Sequence, residues 1–492
     1  MKCYMGVDIG TSSAKFMLVD ARGEVMGTHS VSYDCDAPQS GWAEIPPERW
    51  MSAVEEGATA LLSPLDEEQR RSLAGIGVTG QMHTTVFLDA DGRSIRSAIL
   101  WNDTRTLPLL AKLRQSADAI PHGSGIMQIL STGSPALNLL WLKREEPEHF
   151  ARLRTFLIGP DYIVHALTGA AGTDYCEAST SSLYDFRTHT WSEEMRALLG
   201  LSADIYPVIR GSGISVGTLR AEIAARWGLP EGIPVVAGTG DNAAAAYAND
   251  VARADGGAIL SLGTSGVLAF RRAAPDFSHK GKHIVFSVDG VHRSLLVQGV
   301  VQSAGRAMQW WQERILLQSD YARELAGVDV DTLGERMLLF YPHMMGDKTI
   351  YADMNLRGAF LGLSDRTTRA DMQIAVMEGI SFAVKELVQA MEIAPEQLNP
   401  LCVTGGGAKS ALWMQMLADI LETPVIRAEA ERSAVYGAAL LAGGLCSPPT
   451  DGEQFCPRAR NAGLYRRGFQ RYRRIHHAMQ EIFQEDANSA SI

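Results

Sequence analysis

Two short loops rich in glycine and hydroxyl side chains are the first candidates for chemistry. They are Gly10-Thr11-Ser12 and Gly263-Thr264-Ser265, and each lies between two apolar segments. Phosphate oxygens need several donors at close range, which glycine backbone and hydroxyl groups supply. One such loop alone is more often a hairpin turn. Because the loop occurs twice, we predict that the pair cradles the β- and γ-phosphates of a nucleotide, although the Walker A spacing is absent.

Two aspartates stand where phosphoryl transfer would need carboxylates. Asp8 interrupts the apolar segment before the first loop, where a carboxylate is costly to bury without a cation or donors. Mg²⁺ prefers carboxylate and phosphate oxygens, so we predict Asp8 beside magnesium. Asp241 begins an alanine-rich helix, where we expect it to stay ionised and to accept a hydroxyl proton. The alternatives are a carboxylate bound by its own loop and an ordinary helix cap.

Two polar clusters follow predicted strands at residues 75–78 and 97–100. In α/β sheets, ligand sites lie at the ends of such strands. Amide, imidazole and carboxylate groups suit sugar hydroxyls, and a methionine or tryptophan covers an apolar face. Taken singly, each cluster is more often loop structure. The predicted substrate contacts are Gln81, Met82, His83, Trp101, Asn102, Asp103 and Arg105, together with Asn242 beside the predicted base.

The elements that position these residues form an internal repeat. Residues 4–9 and 15–19 predict a β-hairpin with the first loop at its tip, and residues 260–262 and 267–270 repeat the pattern around the second loop. The two copies stand about half the chain apart. The repeat predicts two similar α/β lobes that face each other, with a boundary near residues 249–256.

Further elements follow from periodicity and turn residues. Residues 86–88 and 95 predict a second hairpin, and residues 50–62 and 137–143 predict helices. Residues 401–404 predict a strand that leads through three glycines into a helix ending near Leu421. The last helix should present one apolar face, formed by Tyr472, Ile475, Met479 and Ile482.

Bulk properties narrow the class of protein. A chain of 492 residues allows two or three domains, and its net charge of −11 argues against nucleic-acid binding. The six cysteines show no metal-binding or C-x-x-C spacing, so free thiols in a reducing compartment are expected. Neither a signal peptide nor an apolar run of about 20 residues is present. We therefore expect a cytoplasmic protein without a membrane partner.

Together these motifs resemble the FGGY family of carbohydrate kinases over residues 4–443. The most specific match is Gly358-Ala359-Phe360-Leu361-Gly362-Leu363, followed seven residues later by the segment 371–378. The resemblance implies an α/β fold of two actin-like (ribonuclease H-like) lobes with the active site in the cleft between them. It divides the chain into an N-terminal lobe at residues 1–250, a C-terminal lobe at residues 251–447, and a loop and helix at residues 448–492.

The resemblance also implies roles for single residues. It makes Asp241 the catalytic base, places Asp8 near Mg²⁺, and implies ATP as the cosubstrate and a small sugar as the acceptor. It implies lobe closure around the sugar and a possible homodimer. Met82 and His83 would contact the sugar, and the remaining implied nucleotide contacts are Lys15, Gly263, Thr264, Gly405, Gly406, Gly407 and Ala408.

Four motifs resemble the family members that act on D-xylulose, so phosphorylation to D-xylulose 5-phosphate is the expected reaction. The motifs are Asp8-Ile9-Gly10-Thr11-Ser12, Gly80-Gln81-Met82-His83, Trp101-Asn102-Asp103-Thr104-Arg105 and Gly240-Asp241-Asn242-Ala243-Ala244. The alternatives are a family member for L-ribulose, L-fuculose, glycerol or a signal sugar, a non-catalytic actin-like ATP-binding protein, and a binding-only sugar sensor.

The chain departs from the family pattern at two places. Asn138 stands where a lysine is usual, and we expect this change to alter surface packing more than chemistry. Gly346-Asp347-Lys348-Thr349-Ile350 stands where members acting on D-xylulose often have Gly-Glu-Arg-Thr-Pro. These exchanges preserve charge but alter reach and geometry, so they bear on the choice of sugar.

Overall fold

The computed structural model describes residues 2–251, 257–326, 328, 333–335, 338–429, 431–448 and 452–489. The strands are β1 Cys3–Ile9, β2 Ser13–Asp20, β3 Val25–Ser32, β4 Glu44–Ile45, β5 Leu73–Gly80, β6 Thr85–Leu88, β7 Ala98–Ile99, β8 Thr155–Ile158, β9 Thr173–Asp174, β10 Tyr184–Asp185, β11 Thr190–Trp191, β12 Ile209–Arg210, β13 Ser215–Thr218, β14 Pro234–Val236, β15 Thr239–Gly240, β16 Ala258–Leu262, β17 Gly266–Arg272, β18 Lys282–Phe286, β19 Ser294–Val301, β20 Leu339–Tyr341, β21 Ala359–Leu361, β22 Leu401–Thr404, β23 Val425–Arg427 and β24 Gln454–Phe455.

The helices are α1 Pro47–Leu62, α2 Glu67–Arg71, α3 Leu107–Asp118, α4 Ser124–Met127, α5 Pro135–Glu145, α6 Pro147–Arg152, α7 Gly159–Thr168, α8 Tyr175–Thr180, α9 Glu193–Leu199, α10 Ala221–Trp227, α11 Asp241–Ala248, α12 Gly305–Trp310, α13 Arg369–Ala390, α14 Pro395–Leu398, α15 Ala411–Leu421, α16 Ala434–Gly443 and α17 Ala459–Ser489. Single helical turns of other types lie at Ala203–Ile205, Trp311–Ile315, Arg323–Leu325 and Gly406–Lys409.

The first large sheet has the strand order β13-β14-β5-β1-β2-β3. Strands β1 and β2 form the predicted antiparallel hairpin, in which Asp8 lies opposite Lys15. Strand β5 runs parallel to β1, and β14 runs parallel to β5. The carboxyl ends of β1 and β5 therefore meet at one edge of the sheet, where the first loop and the Gln81-Met82-His83 segment begin.

The second large sheet repeats this arrangement, with the order β18-β19-β17-β16-β22-β23-β24. Strands β16 and β17 form the second hairpin, β22 runs parallel to β16, and β23 runs parallel to β22. In both sheets a run of antiparallel strands is followed by parallel strands reached through crossovers. The prediction of two similar α/β lobes is confirmed, and each glycine-hydroxyl loop lies at the tip of the corresponding hairpin.

Small residues let helix α16 pack tightly against the first sheet, although α16 belongs to the second half of the chain. A Cβ added at Gly6 or Gly77 would overlap backbone oxygens of α16, and one at Gly437 would overlap the backbone of α11. Helices α11 and α16 therefore cross at close range where the two lobes meet. Residues 252–256, in the expected boundary region, lie outside the described residues; α11 ends at Ala248 and β16 begins at Ala258.

The final helix packs on the core of the C-terminal lobe, as its apolar periodicity predicts. Tyr472 and Ile475 are buried there, and Met479 packs against the same core. The prediction for Ile482 is wrong, because its side chain is 53% exposed while Phe483 is buried. At 3.6 residues per turn, the position four residues after Met479 stays closer to the buried stripe than the position three residues after it.

Asn138 has a different role from the one expected. It is fully buried, and its Nδ2 atom donates to Thr85 Oγ1 at 2.9 Å and to the Gly133 oxygen at 3.0 Å. The expectation of a surface effect is therefore wrong. The side chain instead ties helix α5 to strand β6 and to the turn that precedes the helix.

Three large apolar clusters, two in the N-terminal half and one in the C-terminal half, and an apolar layer between the lobes hold the molecule together. The layer joins Met82 and Ala243 of the N-terminal half to Ala269, Ile284 and Leu296 of the C-terminal half. Within the part of the chain that the structure describes, each helix is too short or too polar to cross a bilayer.

Candidate active site

The first glycine-hydroxyl loop contacts both predicted sugar-binding clusters. Thr11 Oγ1 accepts a hydrogen bond from Trp101 Nε1 at 3.1 Å and lies 3.4 Å from Gln81 Oε1, to which it donates. Gln81 Nε2 in turn donates to the Gly10 oxygen at 3.4 Å. The fold thus brings together the tip of the β1–β2 hairpin, the end of β5 and the turn after β7.

Asp241 is the first residue of helix α11, and a glycine turn aims it. Gly238 has a φ of +72°, and a Cβ there would overlap the Val78 oxygen, so only glycine allows this turn. After the turn, Thr239 and Gly240 pair with the end of β5. The Asp241 Oδ1 atom accepts the backbone N–H of Asn242 at 2.7 Å, which leaves Oδ2 for another partner.

The two predicted carboxylates interact electrostatically. Burial, and then the negative charge of Asp8, raise the pKa of Asp241 to about 7. Burial also raises the pKa of Asp8, while Lys15 opposes the shift. The expectation that a helix N-terminus keeps Asp241 fully ionised therefore needs correction, because burial and the neighbouring carboxylate outweigh the helix dipole. A carboxyl with a pKa near neutrality is well matched to general-base work.

The pKa of Asp241 gives a pH-dependence prediction. A base acts only when ionised, so kcat/KM should rise with pH on an acid limb centred near pH 7 and then level off. The pKa of His83 is about 3, so this imidazole should not produce the limb. Initial rates measured from pH 5 to 9 at constant ionic strength would show it. A profile that is flat between pH 5.5 and 8 would contradict the assignment.

His83 is held as a neutral hydrogen-bond acceptor. Its backbone has a φ of +69°, which is uncommon for a residue other than glycine and is found at functional sites. Its Nδ1 lies 3.0 Å from the Thr180 oxygen. Because a carbonyl oxygen only accepts, Nδ1 carries the proton and Nε2 is left to accept. Burial, and then the charge of Lys282, lower the pKa of His83 to about 3.

Met82 and Asn242 line the same region. The Asn242 Nδ2 atom lies 3.7 Å from the Met82 sulfur and 3.4 Å from Gln298 Oε1. Met82 is buried in the layer between the lobes. The structure thus brings three predicted sugar contacts, Met82, His83 and Asn242, close to the predicted base.

The second polar cluster divides into an exposed part and an internal part. Trp101 and Asn102 are exposed, whereas Asp103 and Arg105 are buried and bind each other through Arg105 Nε and Nη2 at 3.0 and 2.8 Å. Asp103 also accepts from Ala43 N, and the Arg105 guanidinium stacks on Trp42. A direct substrate contact does not fit this placement, because protein partners occupy these polar atoms. Both residues instead fix the turn that carries Trp101.

The second glycine-hydroxyl loop is fixed by its neighbours. The oxygens of Gly263 and Thr264 accept the backbone N–H groups of Gly305 and Arg306 at 2.8 and 2.9 Å, where helix α12 begins. Strand β22 runs beside β16 and delivers Gly405 against the loop, where the glycine has a φ of +91°. A Cβ at Gly406 would meet nothing within 4 Å. The predicted nucleotide residues of the C-terminal lobe therefore lie side by side, with open space over Gly406.

Glu177 is a site residue that the sequence analysis missed. It is fully buried, and neither carboxylate oxygen has a hydrogen-bond partner among the residues that the structure describes. Its Oε1 lies 3.1 Å from the position of a Cβ on Gly240, directly behind the predicted base. Burial, together with Asp161, Asp174 and Asp241, raises its pKa well above the usual range, while the nearby backbone amide of His83 opposes the shift. Its position three residues after the helix cap Asp174 resembles ordinary capping, which hides the signal.

Two residues of the C-terminal lobe were also missed, Lys282 on β18 and Gln298 on β19. Both lie in strands whose sequences show only apolar alternation around them. No local motif marks them, because it is the docking of the two lobes that brings them to Asn242 and His83.

The repeated sheets, the paired loops and the buried carboxylates define a two-lobed kinase of the actin-like, ribonuclease H-like fold. The chain matches the FGGY family of carbohydrate kinases, N-terminal domain, over residues 3–248, and the C-terminal domain of the same family over residues 258–445. The chain belongs to the FGGY family of carbohydrate kinases. It is a carbohydrate kinase, with ATP as the phosphoryl donor and a small sugar as the acceptor.

Similar proteins cover nearly the whole chain. A xylulose kinase of Bacillus subtilis is 33% identical, with 97% of each chain covered, and a xylulose kinase of Staphylococcus xylosus is 32% identical, with 90% of each covered. The crystal structure of a "xyloylose kinase" from Brucella ovis has a TM-score of 0.89 at 31% identity, and covers 98% of this chain and 100% of its own.

Proposed function

We propose that this chain transfers the γ-phosphoryl group of ATP to the terminal O5 hydroxyl of D-xylulose, giving ADP and D-xylulose 5-phosphate. The reaction type is supported by Asp241, a partly buried carboxyl with a pKa of about 7 that lies beside Met82, His83 and Asn242. The choice of D-xylulose is supported by the relatives that are xylulose kinases at 31–33% identity.

In the proposed reaction, Asp241 accepts the proton of the O5 hydroxyl as that oxygen attacks the γ-phosphorus. The bond from the γ-phosphorus to the bridging oxygen breaks, and ADP leaves with the electron pair of that bond. The free Oδ2 of Asp241 suits this task, because Oδ1 is occupied by Asn242 N. The Gly10-Thr11-Ser12 and Gly263-Thr264-Ser265 loops, with Lys15, donate to the phosphate oxygens and stabilise their charge.

Mg²⁺ is part of the proposal, and the residues present fit it. Asp8 is buried and Asp241 is partly buried, and desolvation followed by the charge of Asp8 raises the pKa of Asp241, so a divalent cation would stabilise both carboxylates. No cluster of three or more metal-ligating side chains occurs within the described ranges. That donor set suits Mg²⁺, which keeps several waters and binds one or two carboxylates with substrate phosphates. Asp8 would hold the ion, which neutralises phosphate charge when bound.

The two halves of the chain have separate tasks in this proposal. Residues 1–250 supply the base and most sugar contacts, residues 251–447 supply the nucleotide pocket around Gly405-Gly406-Gly407-Ala408, and residues 448–492 complete the C-terminal lobe. Closure of the lobes around the sugar would exclude water and limit ATP hydrolysis. A cytoplasmic location, where ATP is available, is proposed because the six cysteines show no metal-binding or C-x-x-C spacing, and a homodimer is proposed from the family resemblance.

The acceptor is tested by ADP release over a panel of sugars. We expect kcat/KM for D-xylulose to exceed the values for L-ribulose, L-fuculose and glycerol by at least about 10-fold each. A second assay for inorganic phosphate separates transfer from hydrolysis. A higher kcat/KM for any other sugar of the panel would replace D-xylulose as the acceptor, without changing the class of enzyme.

A further inference from the structure

The face of the C-terminal sheet that meets the N-terminal lobe is apolar along most of its length. On β18 and β19 this face carries Ile284, Phe286 and Leu296, which pack in the same cluster as Met82 and Ala243. Strands β18 and β19 are antiparallel, and Lys282 lies directly opposite Gln298. Residues opposite each other, and two residues apart along a strand, share one face. Lys282 and Gln298 are therefore the polar end of this face.

Gln298 reaches the sugar-binding residues of the other lobe. Its Oε1 accepts from Asn242 Nδ2 at 3.4 Å, one residue from the base. The side chain is 6% exposed, and its Nε2 has no hydrogen-bond partner among the described residues. A buried amide donor without a partner costs free energy unless a ligand accepts its hydrogen bond.

Lys282 supplies a second donor at the same place. It is half-buried, and its ammonium has no hydrogen-bond or ion-pair partner within the described part of the chain. The strand register sets Lys282 opposite Gln298, on the face that meets the predicted sugar contacts, and its charge lowers the pKa of His83 in the other lobe. Lys348, from the segment that departs from the family pattern, adds a further positive charge beside it. The two lobes thus meet in a region with two unused donors and one acceptor, His83 Nε2.

The chemistry of a pentulose explains what these donors would bind. A 2-ketopentose closes its five-membered ring by adding O5 to the C2 carbonyl. A molecule whose O5 attacks ATP must therefore be in the open-chain form, with a free carbonyl at C2. A carbonyl oxygen can only accept hydrogen bonds, whereas a hydroxyl both donates and accepts. A pair of donors thus matches a ketose better than a polyol.

We propose that Lys282 and Gln298 form a carbonyl subsite, in which Lys282 Nζ and Gln298 Nε2 donate hydrogen bonds to the C2 oxygen of an open-chain ketose. The inference rests on the proposed function for the position of the phosphorylated hydroxyl. It assigns the C-terminal lobe a part in sugar selection. Because the two donors lie across the layer between the lobes, ketose binding also draws the lobes together.

The test compares D-xylulose with xylitol and D-arabinitol, the two pentitols that reduction of its carbonyl gives. Gln298→Glu keeps the side-chain shape and the oxygen next to Asn242 but removes the Nε2 donor. Lys282→Met keeps the stem and removes the charge. Each variant should raise KM for D-xylulose about 10- to 100-fold, change KM for the pentitols less than about 3-fold, and leave kcat within a few-fold. Lys282→Arg, which retains donors, should recover most of the loss.

Two controls accompany these variants. Lys112→Met, the same exchange at an exposed position of α3, should behave as the unmodified protein, and thermal unfolding shows whether each variant folds. Equal losses on ketose and pentitol, or an unchanged KM for the ketose, would overturn the subsite. If another ketose is the best acceptor, the comparison is repeated with that ketose and its polyols, so the subsite can stand without D-xylulose. Preference of the unmodified protein for polyols would overturn the subsite as well.

Discussion

Asp241→Asn should lower kcat by about 10²- to 10⁴-fold, the range by which a positioned general base accelerates proton transfer. The amide keeps the size of the side chain and can still accept from Asn242 N through its oxygen. It cannot take the O5 proton. Affinity for ATP and ADP should change little, because the proposed nucleotide contacts lie in the two glycine-hydroxyl loops and around Gly406. Steady-state rates and nucleotide titration by calorimetry measure the two effects separately.

The control for this variant is Asp91→Asn, which removes one carboxylate from an exposed turn of the same lobe. Its kcat should equal that of the unmodified protein. The small residual rate of Asp241→Asn should also lose the acid limb near pH 7, because the titrating group is gone. A rate within about 5-fold of the unmodified protein would exclude Asp241 as the base.

Asp8→Asn should lower kcat by about 10²- to 10³-fold and raise the Mg²⁺ concentration needed for half-maximal rate. The proposed cause is loss of the carboxylate that would hold the cation beside the phosphates. The variant should also change the pH profile, because the charge of Asp8 contributes to the raised pKa of Asp241. Its removal should shift the acid limb of the remaining activity to lower pH. Rates measured over a series of Mg²⁺ concentrations and pH values give both results.

Glu24→Gln is the matched control for Asp8→Asn, since it removes an exposed carboxylate from the turn between β2 and β3 of the same sheet. It should leave both the Mg²⁺ requirement and the pH profile unchanged. A normal Mg²⁺ requirement in Asp8→Asn would remove this residue from the proposed metal site. An unshifted acid limb would instead contradict the electrostatic link between Asp8 and Asp241.

Local patterns in the sequence predicted much of the fold. The hairpins around Gly10-Thr11-Ser12 and Gly263-Thr264-Ser265 were recognisable because each loop lies between short apolar strands. Their repetition predicted two lobes, and the matching strand orders confirm it. Helices α1, α5 and α15 were similarly clear from periodicity and turn residues. In each case the neighbours along the chain determine the local structure.

Burial and long-range contacts could not be predicted in the same way. Asn138 looked like a surface residue because its hydrogen-bond partner Thr85 is distant in sequence. Asp103 and Arg105 looked like ligand contacts because their mutual bond depends on a turn that only the folded chain forms. The pKa of Asp241 depends on burial and on Asp8, which lies on strand β1, far from Asp241 in the sequence. A single sequence motif does not show which residues will be buried or which distant residues will bind to them.

Contacts between the lobes were the part of the site that the sequence could not predict. Lys282 and Gln298 occupy ordinary strand positions, and only the packing of β18 and β19 against α11 brings them to Asn242. Glu177 was hidden for a related reason, since its spacing from Asp174 resembles a helix cap. The candidate site therefore combines motifs that the sequence shows with contacts that only the assembled lobes create.

The most direct test of the proposed function is ³¹P NMR of one reaction that contains the protein, ATP, Mg²⁺ and D-xylulose. We predict equal amounts of ADP and of a phosphomonoester whose phosphorus couples to the two protons at C5, with no accumulation of inorganic phosphate. Omission of the sugar should abolish ADP formation. Release of inorganic phosphate in place of the ester, or the absence of ADP when D-xylulose is supplied, would contradict the account.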